Sequence, residues 1–147
     1  MKPSILLTLL SSAVLLFPTV ADALDIPSEK PGLWEIRAQN SSDGKAGGRD
    51  GTMQICMDAA TMAQSKQLSD EYNRKNCSKN EIRKEGNKWI RSLVCNVGTS
   101  NVSTQQTFEF SSDSAYHAEV ISTYDPPSAG RTRTHVIRDG KWLGACK

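Results

Sequence analysis

The sequence predicts a mainly β, α+β fold: a curled antiparallel sheet or partly closed barrel of about seven strands, with one short helix after the second strand. Three observations predict it. Apolar and polar residues alternate over about seven short stretches separated by turn signals at hairpin spacing. A single good helix start occurs, at Asp58. Four cysteines are distributed along a chain that opens with a leader-like segment.

Residues 1–23 read as a secretory signal peptide. Lys2 supplies the positive start, residues 5–17 an apolar run, and Ala21-Asp22-Ala23 a small-residue cleavage site. The run is shorter than the roughly 20 residues a spanning helix needs. The expected organisation is therefore a signal over 1–23 and a single disulfide-stabilised domain over 24–147, periplasmic or secreted, with no transmembrane segment after cleavage. Cleavage removes Lys2 and Asp22, so the formal charge stays at +2. That balance excludes a strong electrostatic case for nucleic acid or an anionic membrane.

A polar domain of this size has a thin core and gains from a constraint on its unfolded chain. Four cysteines in an exported chain imply two disulfides, with three connectivities open. The favoured pairing is Cys56 with Cys77 and Cys95 with Cys146: a clamp around the short helix and an anchor for the C-terminal segment. Loops of those sizes stabilise by about 3 and about 4 kcal/mol on the chain-entropy model. A zinc site is disfavoured, since no C-x-x-C pair occurs.

The elements follow in order. Pro31-Gly32 opens a strand with Trp34, Ile36 and Ala38 on its inner face, and the Gly-rich residues 40–51 read as a loop. Residues 52–57 form a second strand, with Met53, Ile55 and Met57 together. Asp58 caps a helix over 59 to about 66, packing Ala59, Met62 and Ala63. The methionines 53, 57 and 62 suggest core filling rather than a copper site, because no histidine lies near. Residues 79–85 and 88–95 form a hairpin about Gly86-Asn87, a type II′ signal. Its second strand has mixed faces, Trp89, Leu93 and Cys95 sharing a side with Arg91 while Ile90 and Val94 line the other.

Two strands, 102–110 and about 116–124, carry Phe108 and Phe110, then Tyr116 and Tyr124. A two-residue turn at Ser112-Asp113 would pair Phe108 with His117 and split the aromatic sets between faces. The expectation is instead an odd-length turn or bulge that sets Phe110 opposite Tyr116. Pro126-Pro127 places a loop at 125–130, residues 131–138 form a last strand, and Asp139-Gly140 reads as a turn before an apolar end built to dock.

Pro31-Gly32-Leu33-Trp34-Glu35, Cys56 just before a helix cap, Gly86-Asn87-Lys88-Trp89 leading to Cys95, and Lys141-Trp142-Leu143-Gly144-Ala145-Cys146 together resemble the small exported bacterial proteins grouped as domain of unknown function 3617. The resemblance covers essentially all of residues 24–147. It implies an exported, β-rich fold with paired cysteines and supplies no catalytic residues. The helix after Asp58 lacks the Pro-Glu start of many such chains.

Chemistry is sparse. His117, His135 and Glu119 are weak candidates for a metal or acid–base site, and they lie on faces that alternate with the more apolar sets, as surface residues do. No G-x-S-x-G elbow occurs, and Ser42 to Lys45 is an isolated S-x-x-K in the Gly-rich loop. The basic run Arg131, Arg133 and Arg138 is a candidate contact for an anionic surface, but Arg131 and Arg133 read rather as a solvated strand face. No cofactor is expected. The leading function is a non-catalytic envelope protein binding a small apolar ligand or a protein partner, with Trp34, Phe108, Phe110, Tyr116 and Tyr124 lining a pocket. The alternatives are a structural or inhibitory module presenting residues 40–51 and 125–130 to another protein, and a small hydrolase on His117 and Glu119.

Overall fold

The computed structural model describes residues 24–46 and 50–147; the expected signal and residues 47–49 lie outside them. In chain order the elements are β1 (Gly32–Ser42), β2 (Lys45–Ala46), β3 (Gly51–Met57), α1 (Ala59–Asn76), β4 (Cys77–Glu85), β5 (Lys88–Val97), β6 (Ser100–Ser112), β7 (Ala115–Ser128) and β8 (Arg131–Gly144). All strands join one antiparallel sheet in the order β2-β1-β8-β7-β6-β5-β4, with β3 alongside β1. The sheet is open: among the described residues no ladder joins β4 to β3 or β2. Seven strands of seven residues or more and one two-residue strand match the β-rich reading; closure into a barrel does not occur.

Local chemistry explains the hairpins. Gly86 takes φ +61° at the first central position between Glu85 and Lys88, as the type II′ reading requires. The β6–β7 register shifts between Phe110 and Ser112, which places Phe110 opposite Tyr116 and Phe108 opposite Ala118. The expected bulge is present, and it keeps the aromatic residues on one face.

That face holds the core. Trp34 is 1% exposed and packs with Tyr116 and Ala118, while Ile36, Met57, Phe108, Phe110 and Trp142 close round them. The Trp34 and Tyr116 rings lie 5.7 Å apart, a distance at which tilted aromatic pairs attract. Trp34 Nε1 donates to the carbonyl of Lys30 at 2.9 Å, and Trp142 Nε1 to that of Pro31 at 3.2 Å. Both indole N–H groups thus fasten the lead-in to the sheet. Ile90 and Leu93, on opposite sides of β5, are both buried, so this strand is covered on both faces in part, as its mixed pattern indicated.

Several boundaries differ from expectation. β1 continues to Ser42 and turns into β2, so residues 40–46 are a hairpin rather than a loop. Only Gly98 and Thr99 separate β5 from β6. β7 extends through Pro126-Pro127 with a register shift between Thr123 and Ser128, and the turn is confined to Ala129-Gly130. Asp139-Gly140 is not a turn, because β8 runs on to Gly144. The Tyr116 ring lies flat where a Cβ on Gly140 would stand, 2.2 Å from that position. Glycine serves here to seat an aromatic ring.

The helix is the larger correction. It spans 18 residues instead of about eight, taking in the polar stretch 67–76. Asp58 Oδ1 accepts from the Thr61 N–H at 2.9 Å, Lys66–Asp70 and Glu71–Lys75 pair across single turns, and Arg74 and Lys75 stand at the negative end of the helix dipole. Such a helix is stabilised by caps and side-chain pairs. It carries almost no apolar periodicity to read.

Helix length decides the disulfides. Eighteen residues rise about 27 Å, so Cys56 and Cys77, which flank α1, cannot meet, and the favoured pairing is overturned. The bridges are Cys56–Cys146 and Cys77–Cys95. Cys77 opens β4 directly opposite Cys95 in β5. Cys56 lies opposite Leu33, and Leu33 opposite Gly144, so the ladders carry the chain end to Cys56. With partners 90 and 18 positions apart in sequence, the chain-entropy model gives about 4.5 and about 3 kcal/mol.

The two sheet edges differ. The outer strand β4 carries Lys79, Glu81, Arg83 and Lys84, whereas residues 52–57 of β3 are uncharged. Charged side chains blunt an edge against strand addition.

Peptide mapping of the oxidised protein should recover Cys56 joined to Cys146 and Cys77 joined to Cys95. Cys146→Ser should lower the free energy of unfolding by about 2–5 kcal/mol, read from a denaturant midpoint. Gly140→Ala should cost about 1–3 kcal/mol by overpacking against Tyr116, and an unchanged midpoint would contradict that seat for the ring.

Candidate functional site: the cleft between helix and sheet

α1 lies over the sheet face that carries Phe108 and Phe110, yet it does not pack down on it. The residues it turns toward the sheet, Ala59, Met62, Ala63, Lys66, Ser69 and Asp70, recur at the spacing of one helical face. Apart from Met62 their apolar side chains are single methyl groups. Asn73 is the one buried residue of the helix. The result is a cleft of about 1020 Å³ with Ile82, Phe108 and Phe110 on its floor and Ile55 and Met57 of β3 along one wall. A second space of about 810 Å³ continues along β1 and β8 past Ile36, Met53 and Val136, sharing Glu29, Ile55, Met57 and Arg138 with the first.

Charged groups rim the cleft. Lys66 Nζ lies 3.1 Å from Asp25 of the lead-in and 3.0 Å from Asp70 one turn on, binding the lead-in to the helix. The hydrogen bond to Lys66 holds the Asp25 carboxyl below its ordinary value. Bonds to Asp70 and then Asp25 raise the Lys66 ammonium. Arg91 Nε donates to Asn80 Oδ1 at 2.8 Å. Burial pushes the Tyr116 hydroxyl up, with the Glu29 charge adding to this and Arg138 opposing it.

The residues expected to line a pocket divide. Phe108 and Phe110 form the floor of the cleft, and Tyr116 faces the neighbouring space while belonging to the core. Trp34 is a core residue held by Lys30, and it lines neither space. Tyr124 lies opposite Val102 and lines neither space, although its hydroxyl is 3.3 Å from Oγ1 of Thr134, which borders the second. Met62, Ile55, Ile82, Arg91 and Arg138 also line the cleft, and the sequence assigned none of them to a pocket. Arg91 did signal itself, as a cation on the side that carries Trp89, Leu93 and Cys95.

The histidines occupy the opposite face. His117 Nδ1 is 2.8 Å from Asp139 Oδ1, and His135 Nε2 is 2.7 Å from Glu119 Oε1. Glu119 therefore partners His135 rather than His117. Ladder positions place His117 opposite Asp139 and His135 opposite Ile121, four residues apart along β7, or roughly 13 Å. The two do not share a site, and among the described residues no group of three His, Cys, Asp or Glu side chains is placed to hold a metal. Nor do the loops at 40–46 and 125–130 project independently. Asp43 Oδ1 accepts the backbone N–H groups of Thr132 and Arg133 at 2.9 and 2.8 Å, which joins the two hairpins.

A family model described as "Protein of unknown function (DUF3617)" matches residues 29–146. No curated protein and no solved structure matches the chain. Among the described residues no helix is long and apolar enough to cross a membrane.

The bond between lead-in and helix has a defined pH window. A carboxyl with a lowered folded pKa contributes stability that is present above its unfolded value, about 3.9, and lost as pH falls through the folded one. The raised ammonium contributes below about 10.4 and loses its share as pH rises through its folded value. The bond should hold from about pH 4 to pH 10. NMR titration should give Asp25 a midpoint below the ordinary range, and Lys66→Ala should return it; an ordinary midpoint in the unmodified protein would refute the bond.

Proposed function

We propose that this chain, which belongs to the DUF3617 family, is an exported, non-catalytic envelope protein that takes a small apolar ligand into the cleft beneath α1. One observation carries the reading: about 1020 Å³ of space over Phe108 and Phe110, bounded by a helix whose facing side chains are too small to fill it. Ligand sites in proteins are concave, largely apolar and of roughly 300–1,000 Å³. Export is supported by the leader pattern of residues 1–23 and by two disulfides, which persist in oxidising compartments. A hydrolase is disfavoured, because each histidine bonds a carboxylate on an exposed sheet face and among the described residues neither has a hydroxyl or thiol partner.

A second reading, a module that presents its loops to a protein partner, is favoured by the Asp43 junction. It turns two hairpins into one ordered end. The ligand reading ranks first because the cleft is unfilled while the hairpin contacts are satisfied.

The oxidised protein, incubated with a cell-envelope lipid extract and repurified, should carry added mass in native mass spectrometry. Ala63→Trp, which fills the cleft from the helix side, should remove that mass and leave the thermal midpoint within a few degrees. Bare protein after incubation would eliminate the ligand reading in favour of the partner-binding module.

A further inference from the structure

We propose that the cleft selects an anionic amphiphile with a single acyl chain and a carboxylate head, the head taken by Arg138 and Arg91 and the chain laid over Phe108 and Phe110. The inference rests on the ligand reading above and adds the chemistry of the ligand.

Its basis is an imbalance of charge on an apolar floor. Several cations elsewhere are held by neighbouring carboxylates: Lys66 holds Asp25 and Asp70, and Lys75, Lys79 and Arg83 hold Glu71, Glu81 and Glu85. Arg91 instead bonds a neutral amide through Nε alone, leaving its terminal nitrogens uncommitted, although its charge is felt by Asp25. The Arg138 side chain makes no hydrogen bond or ion pair among the described residues. Both line the cleft. Of the three carboxylates that line it with them, Asp25 and Asp70 are held by Lys66, and Glu29 makes no ion pair. Two guanidinium groups therefore face one uncommitted carboxylate.

Sheet register places these cations on either side of the floor. Arg138 lies opposite Ala118, and Ala118 opposite Phe108, so Arg138 stands two strands from that ring, roughly 10 Å away across a methyl group. Arg91 lies opposite Gln106, diagonal to Phe108 on the neighbouring strand, at about 7–8 Å. A chain resting on Phe108 and Phe110 therefore has a guanidinium within reach whichever way it runs. The guanidinium fork matches a carboxylate in two parallel charge-assisted bonds. An uncharged head offers no such counter-charge, and a cationic head is repelled.

Isothermal titration of the full oxidised protein with dodecanoate, dodecanol and dodecyltrimethylammonium, all below micelle formation, tests this. Dodecanoate should bind about tenfold or more tightly than either of the others. Arg138→Gln should weaken dodecanoate about five- to tenfold without changing dodecanol, and Arg91→Gln joined to it should erase the preference. Arg138 is exposed and unbonded, so its single variant folds and carries the test should the double variant fail. Equal binding of all three amphiphiles, abolished by Ala63→Trp, overturns charge selection and leaves the cleft reading standing. A preference undiminished in Arg138→Gln overturns it too. No binding of any amphiphile removes both readings.

Discussion

The fold depends on one geometric constraint, a rigid helix that joins the two edges of an open sheet. From β3 to β4 the sheet crosses six strand spacings, about 29 Å if it lay flat. α1 is about 27 Å long. Its N-terminal end is fixed through Cys56 to Cys146, beyond the end of β8, and its C-terminal end through Cys77 to Cys95 in β5. A helix of nearly that length, held at both ends, spans the sheet from edge to edge.

The cleft follows from that arrangement. In most α+β domains the helix is held to its sheet by an apolar stripe, and the stripe consumes the space between them. Here attachment is covalent and terminal, and the facing residues are mainly Ala, Ser and Lys. The stable core is displaced to the side, where Trp34, Tyr116 and Ala118 pack without help from α1. Stability and open space are thereby assigned to different parts of one sheet face.

What was legible in the sequence was the set of features that repeat every two residues. Alternation placed Trp34, Phe108, Phe110 and Tyr116 on one face, and the demand that they stay there predicted the irregularity between Phe110 and Ser112. What was not legible depended on tertiary distance. Residues 67–76 carry no apolar stripe, so the sequence pattern ends the helix near residue 66, and a helix that short leaves Cys56 and Cys77 within reach of each other. One misjudged length produced the wrong disulfides. Asp139-Gly140 misled differently, since the dipeptide common in turns serves here as a flat bed for Tyr116. Alternation also cannot separate core from cleft: Trp34 and Phe108 share a face, but only Phe108 borders the space beneath the helix.

The burial of α1 has a kinetic meaning. A segment whose buried surface amounts to little more than Asn73 opens at a cost well below that of global unfolding. Its disulfide anchors hold both ends, so opening stays local to α1 and leaves the β-ladders intact. Access to the cleft is then decoupled from the survival of the fold, and the space beneath α1 opens and closes without the chain ever passing through a denatured state.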